Sequence, residues 1–297
     1  MLGPQGGALV LAVGPILADA DLAYFSAGTT GLMTPQAAPT GFSISIIPEA
    51  QAVSVIDWAV DVRKAKSIAY FGDNGLNSKT MAERFKIHAA ERKLPITAME
   101  QYEVGATEMT SQLLNLRRTN PELLLINGQT AADQARILKQ IDELGWNIPV
   151  AGSLGVTALF APIAQIAGPA TRLIAAGVQI KTFSYCTGDP EGTLPYAKFL
   201  QRLKAESPAN FDKLPYNLSA WTYDAVFMIK AAAEGAKSTS GRAMTKWIEN
   251  NKAGVLGITG VMKADASSHF LARPETFTLV EKLDQIRSDG MIKRAGC

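Results

Sequence analysis

The pattern of apolar and polar positions is most regular between Ser67 and Ala151. Short apolar runs alternate there with longer segments of helical spacing. Ile68, Tyr70 and Phe71 fall in one run, and Leu123, Leu124, Leu125 and Ile126 make another. Turn residues close these runs (Gly72, Asn127, Gly128, Gly152). Between them, Met81, Phe85 and Ala89, and then Leu113 and Leu116, recur three and four apart, which puts them on one face of a helix. Strand-length runs alternating with amphipathic segments predict repeated β-α-β units and hence a parallel sheet covered by helices on both faces. Ligands of such sheets bind outside the carboxyl ends of the strands. The residues to watch are therefore Asp73 to Ser78, Asn127 to Thr130 (Gln129 among them) and Gly152 to Thr157.

The same reading extends to both sides. Ala8 to Ala20 predicts a helix, Leu22 to Phe25 a strand, and Phe42 to Ile47 a second strand ended by Pro48-Glu49. Ala50 to Arg63 has helical spacing. Val156 to Ala167 predicts one short helix, broken by Gly168-Pro169. Leu173 to Ile180 predicts a strand. The turn-rich stretch SYCTGDPEGTLP then suits a crossover between domains. Helices follow at Tyr196 to Lys204, Leu218 to Ala233 and Gly241 to Asn250, and strands at Ile258 to Met262 and Thr276 to Leu283.

Composition changes this picture little. A chain of 297 residues with 47% apolar and 19% charged residues is ordinary for a globular protein. A net charge of +2 gives no sign of a nucleic-acid partner. No apolar run reaches membrane-spanning length, and no covalent membrane anchor is visible. GALVLAVGPILADA looks superficially like a signal peptide, but the first basic residue is Arg63, and a signal peptide needs a basic start. The two cysteines, Cys186 and Cys297, have no metal-type spacing; they could form a disulfide or remain two thiols.

Catalytic signatures are missing. His88 is expected on the polar side of its helix and His269 in a surface turn. No nucleophilic triad or Gly-x-Ser-x-Gly is present. Gly-x-Gly-x-x-Gly and the phosphate-binding loop are missing too, so no cofactor is expected. Asp73 could act as an acid or base, although Asp in a turn before a helix more often serves local hydrogen bonding. A binder is expected rather than an enzyme.

Five ordered motifs carry a family resemblance: FGDN, GATEMTSQLL (Gly105 to Leu114), ILKQIDELGWNIPVAGS, AWTYDAVFMIKAA and GITGVMKADA. In these the chain resembles the type I periplasmic solute-binding proteins of ABC transporters, in the leucine/isoleucine/valine-binding subfamily. GATEMTSQLL is similar to that family's G-A-T-D-F-S-x-x-L run. The resemblance implies two lobes, each a doubly wound, mostly parallel sheet, joined by a hinge of three crossovers and closing over a solute. Lobe I would hold residues 1–48 and 183–274, and lobe II residues 49–182 and 275–297. The implied role is a periplasmic substrate-binding protein serving ABC permease subunits. Its solute would be a small amino acid, an aromatic acid or another carboxylate. A ligand-sensing regulator of the same fold is the alternative. The family's opening β-α-β-α segment has no counterpart here, which would leave an exposed sheet edge in lobe I.

The resemblance also places ligand residues. Ala27, Gly28 and Thr29 match the loop that holds the carboxylate. Gly6 and Gly7 stand where the family has a hydroxyl-rich loop. Asn77 falls near the aromatic lid position, and Leu154 at the acidic residue that meets the ammonium. Asp224 could substitute for that acid or support its own helix. An ammonium left without a carboxylate is costly to desolvate, so the implied solute extends beyond amino acids to aromatic acids, other carboxylates and amides.

Overall fold

The computed structural model describes residues 1–297 apart from 4–6, 28–33, 46, 212, 213 and 215, and apart from the side chains of 7 and 8. In chain order the elements are α1 (Gly7–Asp19), β1 (Tyr24–Ser26), β2 (Gly41–Ser43), α2 (Pro48–Asp61), β3 (Ile68–Asp73), α3 (Leu76–Glu91), β4 (Ile96–Tyr102), α4 (Thr110–Arg118) and β5 (Leu123–Asn127). There follow α5 (Ala131–Glu143), β6 (Val150–Gly152), α6 (Leu154–Ala158), α7 (Phe160–Ala167), β7 (Ile174–Ile180), β8 (Ser184–Tyr185) and α8 (Pro195–Glu206). The last are α9 (Tyr216–Ala236), α10 (Gly241–Asn250), β9 (Val255–Gly257), β10 (Gly260–Met262), β11 (Phe277–Val280) and β12 (Ile292–Lys293). The chain divides into two compact units, Met1–Ile47 with Pro190–Thr276, and Pro48–Asp189 with Phe277–Cys297.

The second unit is built on a six-stranded sheet in the order β11-β7-β6-β5-β3-β4. All neighbours are parallel except the edge strand β11, which runs antiparallel to β7. Strands β3 and β5 are buried along their whole length, as expected for strands covered on both faces. Alternate side chains go to opposite faces. Phe71 and Ala69 join a core with Leu113, Ile137 and Ile163 under α4, α5 and α7. Tyr70 points the other way and packs on Phe85 of α3, where α2 and α3 lie together.

The first unit repeats the plan with fewer described strands. β1 and β2 are parallel, flanked by parallel bridges from Leu2 to Phe25 and from Ser43 to Phe270. Phe25 and Phe42 face α9 and α10 through Met228, Ala232, Met244 and Ile248. Tyr24 faces α1 through Val10.

Four expectations need correcting. Val156 to Ala167 is not one helix but two, α6 and α7, broken at Leu159. Pro162 has no N–H, and its ring would clash with the carbonyl of Ala158 in a continuous helix. Ile258 to Met262 is not one strand: β9 and β10 form an antiparallel hairpin with Ile258 and Thr259 at the turn. His269 is not in a surface turn but wholly buried, because the tight turn from Asp265 to Ser268 carries the chain back beside β2. His88 is on the polar side of its helix as expected: its ring nitrogens lie 3.0 Å from Asp57 Oδ1 on α2 and 2.8 Å from Glu91 Oε2, and 18% of its side chain is exposed. The second crossover between units falls at Asp189/Pro190 rather than at 182/183, and the third at 276/277 rather than 274/275. Residues 184–189 stay with the second unit because β8 pairs with β12 and because Cys186 is joined to Cys297 in a disulfide, which settles the open question about the cysteines.

Candidate functional site

In the six-stranded sheet the chain steps from β3 outward to β4, then crosses back to place β5 on the other side of β3. The carboxyl ends of β3 and β5 therefore diverge at a topological switch point, where α/β sheets hold their ligands. Asp73 ends β3 and is fully buried. Its Oδ1 accepts the Gly75 N–H at 2.9 Å, and its Oδ2 accepts the Gln129 N–H at 3.0 Å. One carboxylate thus ties the loop after β3 to the loop after β5. A side chain at Gly75 would put its Cβ 2.3 Å from Gln129 Nε2 and 2.8 Å from Asp73 Oδ1, so the close approach of the two loops requires glycine there.

Beneath this clamp lies a second polar layer. Asn127 Nδ2 donates to Ser78 Oγ at 2.8 Å, and Tyr70 Oη donates to the Ser78 carbonyl at 3.0 Å. Tyr102 Oη reaches the Asn127 carbonyl at 3.4 Å. Burial pushes both phenols well above the ordinary tyrosine range, and for Tyr102 the Asp73 charge adds to the effect. Both therefore stay protonated and act as donors.

At the end of β6, the Leu154 N–H donates to Gln51 Oε1 of α2 at 2.9 Å, and the Leu154 side chain is 6% exposed. A Cβ at Gly155 would meet the Gly128 carbonyl at 2.8 Å, so the start of α6 also lies against the loop after β5. Around them stand buried polar atoms with no partner among the described residues: Asn77 Oδ1, Gln134 Oε1, Ser153 Oγ and Thr157 Oγ1. Gln129 is exposed above Gly75.

In the first unit, half-buried Ala27 follows the last residue of β1. Gly7 opens α1. Gly6, Gly28 and Thr29 lie outside the described residues. Asp224 is buried and turned to the β9–β10 turn: it accepts the Ile258 N–H at 2.8 Å, the Thr259 N–H at 2.8 Å and the Thr259 hydroxyl at 2.6 Å. Burial raises its carboxyl above the usual range, and these three donors pull it partly back.

Of the predicted positions in the second unit, Gln129 sits on the loop after β5, and Asn77 and Leu154 sit in the first turns of α3 and α6, which follow β3 and β6. Sequence reasoning missed Gln51 and the pairing of Tyr70, Ser78 and Asn127 into one polar layer. Asn127 and Ser78 bound the stretches singled out above, but nothing in the chain order pairs them; Gln51 is 103 positions from its partner. Among the described residues there is no group of three or more His, Cys, Asp or Glu that could hold a metal ion. None of the described helices is long and apolar enough to cross a membrane.

A doubly wound sheet with its polar clamps gathered at the switch point is the layout of an α/β protein that binds a small molecule. The particular family is shown by comparison: a family model described as periplasmic binding protein matches residues 1–284, and the chain belongs to that family. No curated protein sequence matches the chain. In fold it is similar to a type 1 periplasmic binding protein from Bordetella pertussis Tohama I (TM-score 0.76, 21% identity, covering 99% of this chain and 79% of that one). It is also similar to the branched-chain amino acid transporter substrate-binding protein LivJ from Streptococcus pneumoniae, solved with isoleucine (TM-score 0.71, 19% identity, 99% and 78% covered). A third similar structure is an ABC transporter solute-binding protein from R. palustris in complex with 4-hydroxybenzoate (TM-score 0.77, 12% identity, 99% and 76% covered). At these identities the likeness establishes the type I fold.

Proposed function

We propose that this chain is the solute-binding component of an ABC importer, working outside the cytoplasm with a membrane permease as its partner, and that its solute is a small carboxylate lacking an α-ammonium. The observation that carries the choice of solute is the state of the carboxylates. Asp73 has both oxygens engaged by backbone N–H groups of its own loops, and Asp224 accepts three donors of the β9–β10 turn. Leu154, at the position the resemblance gives to the acid that meets an ammonium, is apolar and has its N–H committed to Gln51. An ammonium brought to these loops would be desolvated without a carboxylate to meet it, at a cost of several kcal/mol. An aromatic or aliphatic acid carries no such penalty. The R. palustris structure with 4-hydroxybenzoate shows that a protein of this fold takes that kind of solute.

In this reading Asn77, Gln129 and Leu154, at the carboxyl ends of β3, β5 and β6, contact the solute, and Gly6, Gly7, Ala27, Gly28 and Thr29 keep the solute-binding role that the resemblance gives them. Asp224 supports the fold rather than the solute. The disulfide Cys186–Cys297 supports an oxidising compartment.

Thermal melts of the full chain with 4-hydroxybenzoate, benzoate, isoleucine and isoleucine amide test the proposal. A solute at a hundred times its Kd stabilises the folded state by about 2.7 kcal/mol, which raises Tm by several degrees in a protein of this size. The aromatic acids are expected to produce that rise and isoleucine is not. A rise with isoleucine and none with either acid would overturn the choice of solute.

A further inference from the structure

The geometry points to a self-modification site at Asn74–Gly75, in the loop after β3: the pair closes to a succinimide and reopens as an acid, so this loop gains a negative charge as the protein ages. Asparagine is among the thermally labile residues. Its side chain cyclises when the backbone nitrogen of the next residue reaches its Cγ, and a side chain on that next residue hinders the approach. Glycine offers no such hindrance. The chain has two Asn-Gly pairs, Asn74–Gly75 and Asn127–Gly128, and their surroundings differ.

Asn74 is exposed between β3 and α3, and its side-chain amide meets no described residue. Its backbone N–H donates to the Tyr102 carbonyl at 2.8 Å, while the side chain is free to turn. The attacking nitrogen is also prepared. Gly75 N–H donates to Asp73 Oδ1 at 2.9 Å, so the proton it must shed already points at a group able to accept it. Asn127 is the opposite case. It is 3% exposed, and its Nδ2 donates to Ser78 Oγ at 2.8 Å. Swinging its Cγ towards Gly128 would break that bond inside a packed layer. The glycine of the exposed pair is fixed by the fold, since a Cβ there would lie 2.3 Å from Gln129 Nε2.

In the first step the Gly75 nitrogen bonds to Asn74 Cγ, and the Cγ–Nδ2 bond breaks. The proton of Gly75 passes by way of Asp73 to the departing nitrogen, which leaves as ammonia. Water then opens the ring at either carbonyl. One product is aspartate; the other is isoaspartate, whose main chain runs through the former side chain and is longer by a methylene. Both carry a carboxylate where a neutral amide stood. The longer link also displaces Gly75 from Asp73 Oδ1 and presses on the loop of Gln129, so it loosens the clamp between the loops after β3 and β5.

The test holds the folded full chain in warm, mildly alkaline buffer and maps its peptides by mass spectrometry, with the chain in denaturant as reference. Aspartate and isoaspartate are expected in place of Asn74 in the folded sample, with the Asn127 amide intact; in denaturant both pairs should convert. Asn74→Gln, which would have to close a larger ring, should keep its amide and melt like fresh wild type. An Asn74 amide that outlasts the incubation as well as that of Asn127 would overturn the site. Equal conversion of both pairs in the folded sample would also overturn it, because unfolding rather than exposure would then govern the reaction. The effect on binding rests on the reading of the solute as a carboxylate. Aged wild type and fresh Asn74→Asp should bind 4-hydroxybenzoate at least about fivefold more weakly than fresh wild type, the effect of one like charge near the solute. Affinity equal to that of fresh wild type would overturn this consequence. If fresh wild type bound no acid at all, the carboxylate reading would fail and the modification would stand on the peptide map.

Discussion

Asp265 gathers its donors within one turn. Its Oδ1 accepts from the Ser267 N–H and hydroxyl and from the Ser268 N–H, and its Oδ2 accepts from the Arg273 guanidinium at 2.6 Å. The Ser267 hydroxyl first, and then Arg273, hold this carboxyl well below the usual carboxylate range. A carboxyl depressed on folding stabilises the native state above its unfolded pKa and loses that contribution as pH falls towards its folded pKa. With an unfolded value near about 4, Asp265→Asn should melt below wild type at neutral pH, and the gap should close as the pH is taken from about 5 towards 2. A gap that stayed constant would mean that the carboxylate charge is not what holds the turn. His269 depends on partners from elsewhere in the chain. It is 0% exposed, stacks on Phe42 at 4.4 Å between ring centroids, and places its two nitrogens on Ala38 and Glu249. His269→Phe keeps the volume and removes both polar contacts, leaving a buried carbonyl and a carboxylate unpaired. The expected loss is about 1–3 kcal/mol in denaturant unfolding. Glu249→Gln should cost less, because an amide can still meet Nε2.

The hairpin of β9 and β10 depends on a helix. Gly257 ends β9 against the Asp224 carboxylate of α9, which a Cβ at Gly257 would meet at 2.4 Å, and the turn N–H groups of Ile258 and Thr259 point into the same carboxylate. Asp224→Ala should leave these donors without their acceptor and destabilise the unit by about 1–3 kcal/mol. Amide exchange at Ile258 and Thr259 should speed up, and solute affinity should be unchanged; a large loss of affinity without faster exchange would make Asp224 a solute ligand instead. The sequence read as one strand here because Ile258, Val261 and Met262 fall within one strand length, and the acid that holds the turn lies more than thirty positions earlier. The same contrast runs through the molecule. The repeated β-α units from Ser67 to Ala151 were legible because strands buried on both faces must be apolar along their whole length, and because glycine and asparagine mark their ends. From those ends Asn77, Gln129 and Leu154 could be placed just beyond the strands. The break between α6 and α7 was also legible, had Pro162 been weighed against the carbonyl four residues before it. The clamp from Gln51 to Leu154 and the burial of His269 were not, since each depends on which distant residue the fold brings alongside. Gly6, Gly28 and Thr29 lie outside the described residues.

The chain passes between its two units at 47/48, 189/190 and 276/277, so neither unit is a single continuous segment, and the last twenty or so residues return to the sheet begun at β3. Phe277, Leu279 and Val280 of β11 are buried against β7, and Leu283, Met291 and Ile292 are buried beyond them. Six such side chains at about 1.5–3 kcal/mol each contribute as much as the whole stability of a typical domain, about 5–15 kcal/mol. The disulfide adds a constraint of a different kind. It joins positions 111 apart, and closing a loop of that length in the unfolded chain is worth about 4–5 kcal/mol in the chain-entropy model. The two contributions can be separated. Cys297→Ser removes only the crosslink and leaves the apolar tail, so it should still give a cooperative melt, at a lower Tm, and wild type in reductant should melt with it. A chain ending at Thr276 loses both the crosslink and the buried strand, so it should give no cooperative melt. If the truncated chain melted like Cys297→Ser, the packing of β11 would count for little and the crosslink would be the tail's main contribution; if Cys297→Ser also lost its transition, the second unit would depend on the disulfide to fold at all.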